Sequence, residues 1–561
     1  MKRLIALFEI YYIFFVILST VSSPGSAQDK INRIPAEPMQ WRTKSDILEG
    51  WDWSLPPGIK AVPYSGTTMP WPMVNNKRWD LPGQEITGIV STWRELEPEE
   101  GQFNFEPLRQ RIKDSGKEWD GVMLYIRASV WEIVDFPDHP VAEYPAGWLK
   151  LQKESNESAP KWLSKYDIPK LPGRPRYNIK TPFQIINYDV FDEDYHTRYL
   201  RFVEAFGKSG IPQMKEVVMA YLHFASGSRG EEGEGLNRPE KPTDSDRMKE
   251  RYTAWAKAYK GVEYKLACPG EKKNELEYAY KLGMGQRNGF IDMVMQSANN
   301  PAIGQVIDAN GYLTVDESIP PVKENRAFGD ENEEFSDLVI PRFGPWETFA
   351  HRYRESMLRI LQMRRNFIWL DGSMMDQKLA CYTSLELGRN VENAPDIWCY
   401  LRESVINNNG QPLAVKNFER WLYQRDKPGF IAAPAEKVWI PEIMVFYHRD
   451  HKYDYTARKT IVSKGQHSIG FAVDDRFLSG GPHKVAVKIT YNDIGKARWA
   501  LVYNNGKNSK EMSCWGNGTI RTVTWFLDDA VFNAGDMDFD FEIKAIEGDA
   551  VIKFVRVIKQ K

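Results

Sequence analysis

The chain has 561 residues, more than one hydrophobic core accommodates, so two or more domains are expected. Its net charge is −2, a near-neutral balance that gives no support to nucleic-acid binding, which wants a strongly basic surface. Apolar residues make up 42% and aromatics 13%, including 19 Trp, which supplies a large core and a stock of flat rings on which sugars stack.

Residues 1–27 read as a secretory signal peptide, with Lys2-Arg3 at the start, an apolar stretch from Leu4 to Val21, and Gly25-Ser26-Ala27 before Gln28. An uncleaved anchor helix fits less well, because Glu9 and two Tyr interrupt the run. A periplasmic or secreted location is therefore expected. No later stretch approaches the roughly 18 apolar residues of a membrane span, so no stable membrane insertion is expected after cleavage.

Residues 31–64, rich in Trp and Pro, are expected to wrap the bottom or side of the first domain. Ile86–Ser91 reads as a strand ending in Thr92-Trp93-Arg94-Glu95, and Phe105–Asp114 as a helix with Phe105, Leu108 and Ile112 on one face. Gly121–Ile126 is the next strand and closes on Arg127. Strand, helix, strand with short connections predicts a parallel sheet. The pattern repeats: a helix over Asp194–Phe206, a strand over Val217–Leu222, and a helix ending near Tyr259. Tyr264–Cys268 is a strand, Asn274–Leu282 a helix, and a further strand lies near Phe290. A strand over Arg326–Glu331, a helix over Trp346–Met363 and a strand over Asn366–Leu370 complete the series. With an early strand at Lys60–Pro63, this makes about eight strand–helix units, the count of a (β/α)8 TIM barrel, assigned to residues 28–375.

The texture changes after Gly372. Residues 376–452 read as a connector, with Leu401–Asp426 as loop plus an amphipathic segment. Residues 453–561 alternate apolar and polar in short runs, such as Val485–Tyr491, with a turn at Asn504-Asn505-Gly506, which predicts an all-β sandwich. As a carbohydrate-binding module, this sandwich would offer Trp499, Trp515 or Trp525 as its stacking surface. The cysteines Cys268, Cys381, Cys399 and Cys514 show no CxxC metal pattern, and no second His stands at ligand spacing from His223, so neither metal nor cofactor is expected. Cys268 reads as a buried hydrophobe, and pairing of Cys381 with Cys399 stays open.

In a parallel barrel, function sits at the carboxyl ends of the strands. The Val217 strand, fourth in the count, runs into Gly227-Ser228-Arg229-Gly230-Glu231-Glu232-Gly233-Glu234, and the seventh leads through Asp330-Glu331-Asn332-Glu333-Glu334. Two carboxyl groups about 5–5.5 Å apart are what retaining glycosidic cleavage needs, one protonated as acid and one ionised as nucleophile. The segment Thr92 to Phe105, TWRELEPEEGQFNF, resembles the stretch after strand two of the clan A glycoside hydrolases, whose members include families 42 and 39. The resemblance covers roughly residues 60–372. It implies a barrel fold, an acid/base Glu after strand four, a nucleophile Glu at the end of strand seven, and a β-linked poly- or oligosaccharide as substrate, a galactan by the family 42 likeness.

The clan's Asn-Glu dipeptide after strand four is absent, which leaves the acid/base open among Glu231, Glu232 and Glu234. Glu231 is favoured because it comes first after a Gly-x-x-Gly turn. Glu331 is favoured as nucleophile with Glu333 second, since residues two apart on an extended chain share a direction. Arg229 or Arg127 would hold one carboxylate ionised. Trp93, Tyr125, His223 and Trp369 fall at strand ends and are candidate sugar contacts together with Arg127. The rival reading is a non-catalytic glycan-binding protein on a degenerate barrel.

Overall fold

The computed structural model describes residues 49–69, 78–135, 157–172, 183–222, 238–269, 272–290, 304–331, 349–370, 376–408, 411–439, 453–533 and 539–560. Among these, eight parallel strands close into a barrel in chain order. They are β1 (Gly66–Met69), β2 (Glu85–Thr92) and β3 (Gly121–Arg127), then, after a three-stranded insert of β4 (Val130–Asp135), β5 (Lys170–Pro172) and β6 (Phe183–Tyr188), the strands β7 (Val217–Tyr221), β8 (Leu266–Cys268) and β9 (Gly285–Phe290). A hairpin of β10 (Gln305–Ile307) and β11 (Leu313–Val315) precedes β12 (Phe328–Glu331), and β13 (Phe367–Trp369) pairs with β1 to complete the ring.

Strands β3 and β7 are buried along nearly their whole length on both faces, which is why they read as continuous apolar runs. Met123, Tyr125, Met219, Tyr221, Phe367 and Trp369 cluster inside the barrel. Their neighbours Leu124, Ile126, Ala220 and Leu222 pack outward in a second cluster with Leu108, Ile112, Phe202 and Phe206. These last four come from helices Glu106–Glu118 and Glu193–Lys208, whose apolar residues recur at helical spacing. Caps fix where helices begin: Asp192 accepts from the Asp194 amide and Asp376 from the Leu379 amide. Tyr64 closes the amino-terminal end of the barrel, where its hydroxyl donates to the carbonyls of Val218 and Tyr264, both at 3.1 Å.

Three sequence expectations shift. The first strand is Gly66–Met69 rather than Lys60–Pro63, because the buried residues Thr67 and Thr68 are polar and carry no apolar signal. Residues 49–55, expected at the barrel's bottom or side, lie in the seam between barrel and sandwich. There Trp51 and Trp53 stack at 5.4 Å and touch Tyr400, Tyr382 and Phe554. The segment read as a connector carries helix Gln377–Glu386 and the strands β14 (Asp396–Asn408), β15 (Gln411–Arg420), β16 (Leu422–Gln424) and β17 (Ala433–Trp439). Alternation is hidden in β14 because both faces are buried: Ile397, Cys399 and Leu401 enter the sandwich core while Trp398 and Tyr400 face the barrel seam.

These strands join β18 (Tyr453–Lys459), β19 (Ser468–Val473), β20 (Gly480–Asn492), β21 (Arg498–Tyr503), β22 (Asn508–Ser513), β23 (Ile520–Phe532), β24 (Phe541–Glu547) and β25 (Val551–Lys559). One sheet holds β15-β14-β18-β25-β20-β23 with β17 beside β18, and the other holds β16-β19-β24-β21-β22. The chain is thus a (β/α)8 barrel followed by antiparallel sheets packed as a sandwich. Cys268, Cys381, Cys399 and Cys514 are all free thiols. Among the described residues no helix is long and apolar enough to cross a membrane.

Candidate active site at the barrel mouth

Alternation carries specific side chains to the inner face near the carboxyl ends of the strands. Tyr125 of β3 and Tyr221 of β7 stack with centroids 5.4 Å apart and planes at 14°. Trp369 of β13 meets Tyr221 edge-on at 6.4 Å. Arg287 of β9 lays its guanidinium over Tyr221 at 4.2 Å and Trp369 at 5.7 Å, and its Nη1 donates to the Tyr221 hydroxyl. Arg127, which ends β3, stands 5.4 Å from the Tyr125 ring centroid. All five are buried, at 1–5% exposure, so they form an aromatic and cationic floor rather than open platforms. Cations packed over aromatic faces in a dry site favour nearby negative charge.

Strand seven crosses this floor. Glu331 is its last residue and is the register partner of Trp369 on one side and Phe290 on the other. Two residues earlier, Gly329 has no side chain for a packing reason. A Cβ there would stand 2.0 Å from Cζ3 of Trp369. Asp330 is buried and paired with Arg365 through a hydrogen bond from Nε. Burial raises its carboxyl above the ordinary range, while Arg365, Arg359 and Arg287 pull the other way.

The sequence candidates divide as follows. Tyr125, Arg127 and Trp369 meet on the floor beside strand seven. Trp93 does not. It lies on the outer side of the barrel wall with no exposure, edge-on to Trp162 at 5.8 Å and Tyr195 at 5.5 Å, and its indole N–H donates to Glu97 at 2.7 Å. One residue past the end of β2 the chain turns into a helix, and that turn swings Trp93 outward. His223, Arg229, Glu231, Glu232, Glu234 and Glu333 lie outside the described residues, and so do residues 1–27.

Sequence reading missed Arg287 and Tyr221. The signal for Arg287 was available: strand β9 reads Gly-Gln-Arg-Asn-Gly-Phe, and an arginine in the wall of a closed barrel needs a partner inside. The insert β4–β6 was also missed. It follows strand three, on the face where barrel sites lie.

A second ionisable cluster, His351, Glu355 and Asp454, is buried between helix Phe349–Gln362 and the sandwich, with ligand-type atoms within 4.8 Å of one another. Arg402 pairs with both acids of this cluster, with Nε 2.8 Å from Glu355 and Nη2 3.2 Å from Asp454. Arg354 adds a second positive charge beside the His351 ring. The cluster is an ion-pair joint between the two domains.

No protein-family model matches the chain, and no curated protein does. Among solved structures, the chain is similar to endo-glycoceramidase II from Rhodococcus sp. as a lactosyl-enzyme intermediate, at 8% identity and a TM-score of 0.27 over 85% of this chain and 89% of that one. The same enzyme with a cellobiose-like imidazole gives 9% identity and a TM-score of 0.28 at the same coverage. The C-terminal CBM6 of a marine laminarinase from Zobellia galactanivorans is matched over 18% of this chain and 89% of its own length, at 18% identity and a TM-score of 0.12. Likeness at these scores assigns no chemistry, which rests on the strand ends.

Proposed function

We propose that the chain is an exported retaining glycoside hydrolase of the clan A type, cleaving a β-linked poly- or oligosaccharide by double displacement. One observation carries this reading: Glu331 is the terminal residue of the seventh strand of a closed parallel barrel, and Val217–Tyr221 is the fourth. These are the positions from which the resemblance draws its nucleophile and its acid/base.

In this reading Glu331 attacks the anomeric carbon while Glu231, protonated, gives its proton to the leaving glycosidic oxygen. The sugar is then an ester of Glu331 and the aglycone departs as an alcohol. Glu231, now ionised, takes a proton from water, whose oxygen attacks the same carbon and restores the carboxylate of Glu331. The floor arginines Arg127 and Arg287 favour the ionised form of the nucleophile. A galactan is the proposed substrate, on the family 42 likeness alone.

The test is a pair of variants, Glu231→Gln and Glu331→Gln, assayed on a panel of aryl β-glycosides. Each is expected to lose about 1,000-fold or more in turnover. Azide, which needs no general base, attacks the glycosyl-enzyme in place of water, releases the Glu331 carboxylate and restores turnover of Glu231→Gln with a glycosyl azide as product. Wild-type turnover in either variant removes that residue from the mechanism.

A further inference from the structure

The sandwich carries a feature that the barrel chemistry does not use. Trp515, in the loop between β22 and β23, is 73% exposed, far outside the range of a packed indole. The other two candidate tryptophans of this domain differ. Trp499 has no exposure and Trp525 packs partly against the core.

The Trp515 loop is held rigidly. Asp493, itself 1% exposed, accepts from the backbone amides of Trp515 at 2.6 Å and Gly516 at 3.1 Å through one carboxylate oxygen. Its own carbonyl accepts from Gly518 at 2.7 Å. Arg521 spans 3.3 Å to the other carboxylate oxygen and lays its guanidinium 4.0 Å from the centre of the indole. One face of the ring is thereby backed by a cation, and the exposure belongs to the other. Gly516, at φ +76°, sits so tightly against Gly495 that a Cβ there would stand 2.6 Å from the Gly495 carbonyl oxygen.

Gly495 in turn belongs to the wall of a groove of about 690 Å³ at this end of the sandwich. Glu436, Lys437, Lys459, Lys496, Glu547 and Asp549 line it, three acids and three bases. Lys459 and Asp549 are already 3.5 Å apart, so the groove carries no strong net field for an ionic ligand. Among the described residues lining it, Ile494 is the large exposed hydrophobe, too little apolar surface for a protein partner. A flat pre-held aromatic ring, on a loop that abuts the groove through Gly516 and Gly495, together with donors and acceptors of both signs, is suited to a ligand with an apolar ring face and a rim of hydroxyls.

We infer that Trp515 and the adjoining Gly495 groove form a carbohydrate-binding site on the sandwich, in which a pyranose ring of a glycan chain stacks on the open face of Trp515 and its hydroxyls reach into the groove. The site is separate from the barrel mouth and does not depend on the barrel's being a hydrolase. Because the loop is pinned through Asp493 before any ligand arrives, little ordering cost opposes binding.

Native affinity electrophoresis of the full-length protein through gels containing β-1,4-galactan, β-1,3-glucan or β-1,4-xylan tests this, with isothermal titration on any polymer that retards it. At least one polymer is expected to retard the wild type, and Trp515→Ala to weaken that association about ten-fold. Lys496→Ala, on the groove wall, is expected to weaken it about three-fold. Equal retardation of Trp515→Ala and wild type overturns the site, as does passage of the wild type through all three gels unretarded. An unchanged affinity in Lys496→Ala with loss in Trp515→Ala removes the groove from the proposal. Retention, not turnover, is read, so a chain devoid of glycosidase activity still answers the question.

Discussion

The indole of Trp369 lies across the backbone of Gly329, leaving no room at residue 329 for even a methyl group. This contact sets the height of strand seven against strand eight two residues before Glu331. Gly329→Ala is therefore expected to destabilise the protein by about 1–3 kcal/mol through overpacking, and to lower kcat/KM more than a general loss of stability explains. Denaturant unfolding and steady-state kinetics on the same preparation check both. Full activity with a normal midpoint means the indole moves aside freely and does not position the strand end.

Arg287 lies on strand six, with its charge over Tyr221 and Trp369 and Gly329 as its register partner on strand seven. Arg287→Ala withdraws positive charge from the barrel floor, which in the proposed mechanism favours the ionised nucleophile. The charged form of that carboxylate is then less favoured, so the acidic limb of the pH profile of kcat/KM moves to higher pH. Arg287→Lys keeps the charge but loses the planar stack, and its limb moves less. An acidic limb that stays in place in Arg287→Ala separates this cation from the nucleophile's ionisation.

Trp93 is a structural residue in this account. Its N–H is one of three donors that hold the buried Glu97 carboxylate, with the Gly101 amide and Arg201, each at 2.7 Å. Trp93→Phe leaves one acceptor short and opens space, so a cost of about 1–3 kcal/mol is expected. KM on any substrate is expected to stay at the wild-type value. A several-fold rise in KM without loss of stability would return Trp93 to the sugar contacts.

Stability at low pH is expected to depend on Asp426. Burial alone would raise its carboxyl, but the Arg458 charge and hydrogen bonds from Lys416 and Arg458 outweigh burial and hold it well below the ordinary range. A group whose folded-state pKa is depressed contributes stability above its unfolded value, near 3.9 for Asp, and that contribution disappears as pH falls toward the folded value. Asp426→Asn should accordingly cost about 2 kcal/mol or more at pH 7 and clearly less near pH 2.5, read by denaturant titration at both. A cost independent of pH assigns the loss to packing rather than charge.

Much of this architecture was legible in the chain. A strand buried on both faces announces itself as an apolar run between helices, which is how β3 and β7 were found and how Glu331 fell on the seventh strand. What escaped notice had a polar or doubly buried surface. Strand β1 reads Gly-Thr-Thr-Met, and its two threonines are buried although neither is apolar. Strand β14 hides its alternation because the sandwich core takes one face and the barrel seam the other. Trp93 and Trp369 both fall at the ends of strand-like runs in the sequence. Only the turn into helix after Thr92 sends one outward while the other stays in the barrel.

The proposed double displacement passes through a covalent bond between Glu331 and the sugar. Incubation with a set of 2-deoxy-2-fluoro aryl β-glycosides, followed by proteolysis and mass spectrometry, reads it directly, because the fluorine slows breakdown of the glycosyl-enzyme. A single glycosyl adduct on Glu331 is expected. An adduct on Glu333 or another carboxylate, or hydrolysis with inverted stereochemistry and no adduct, contradicts it.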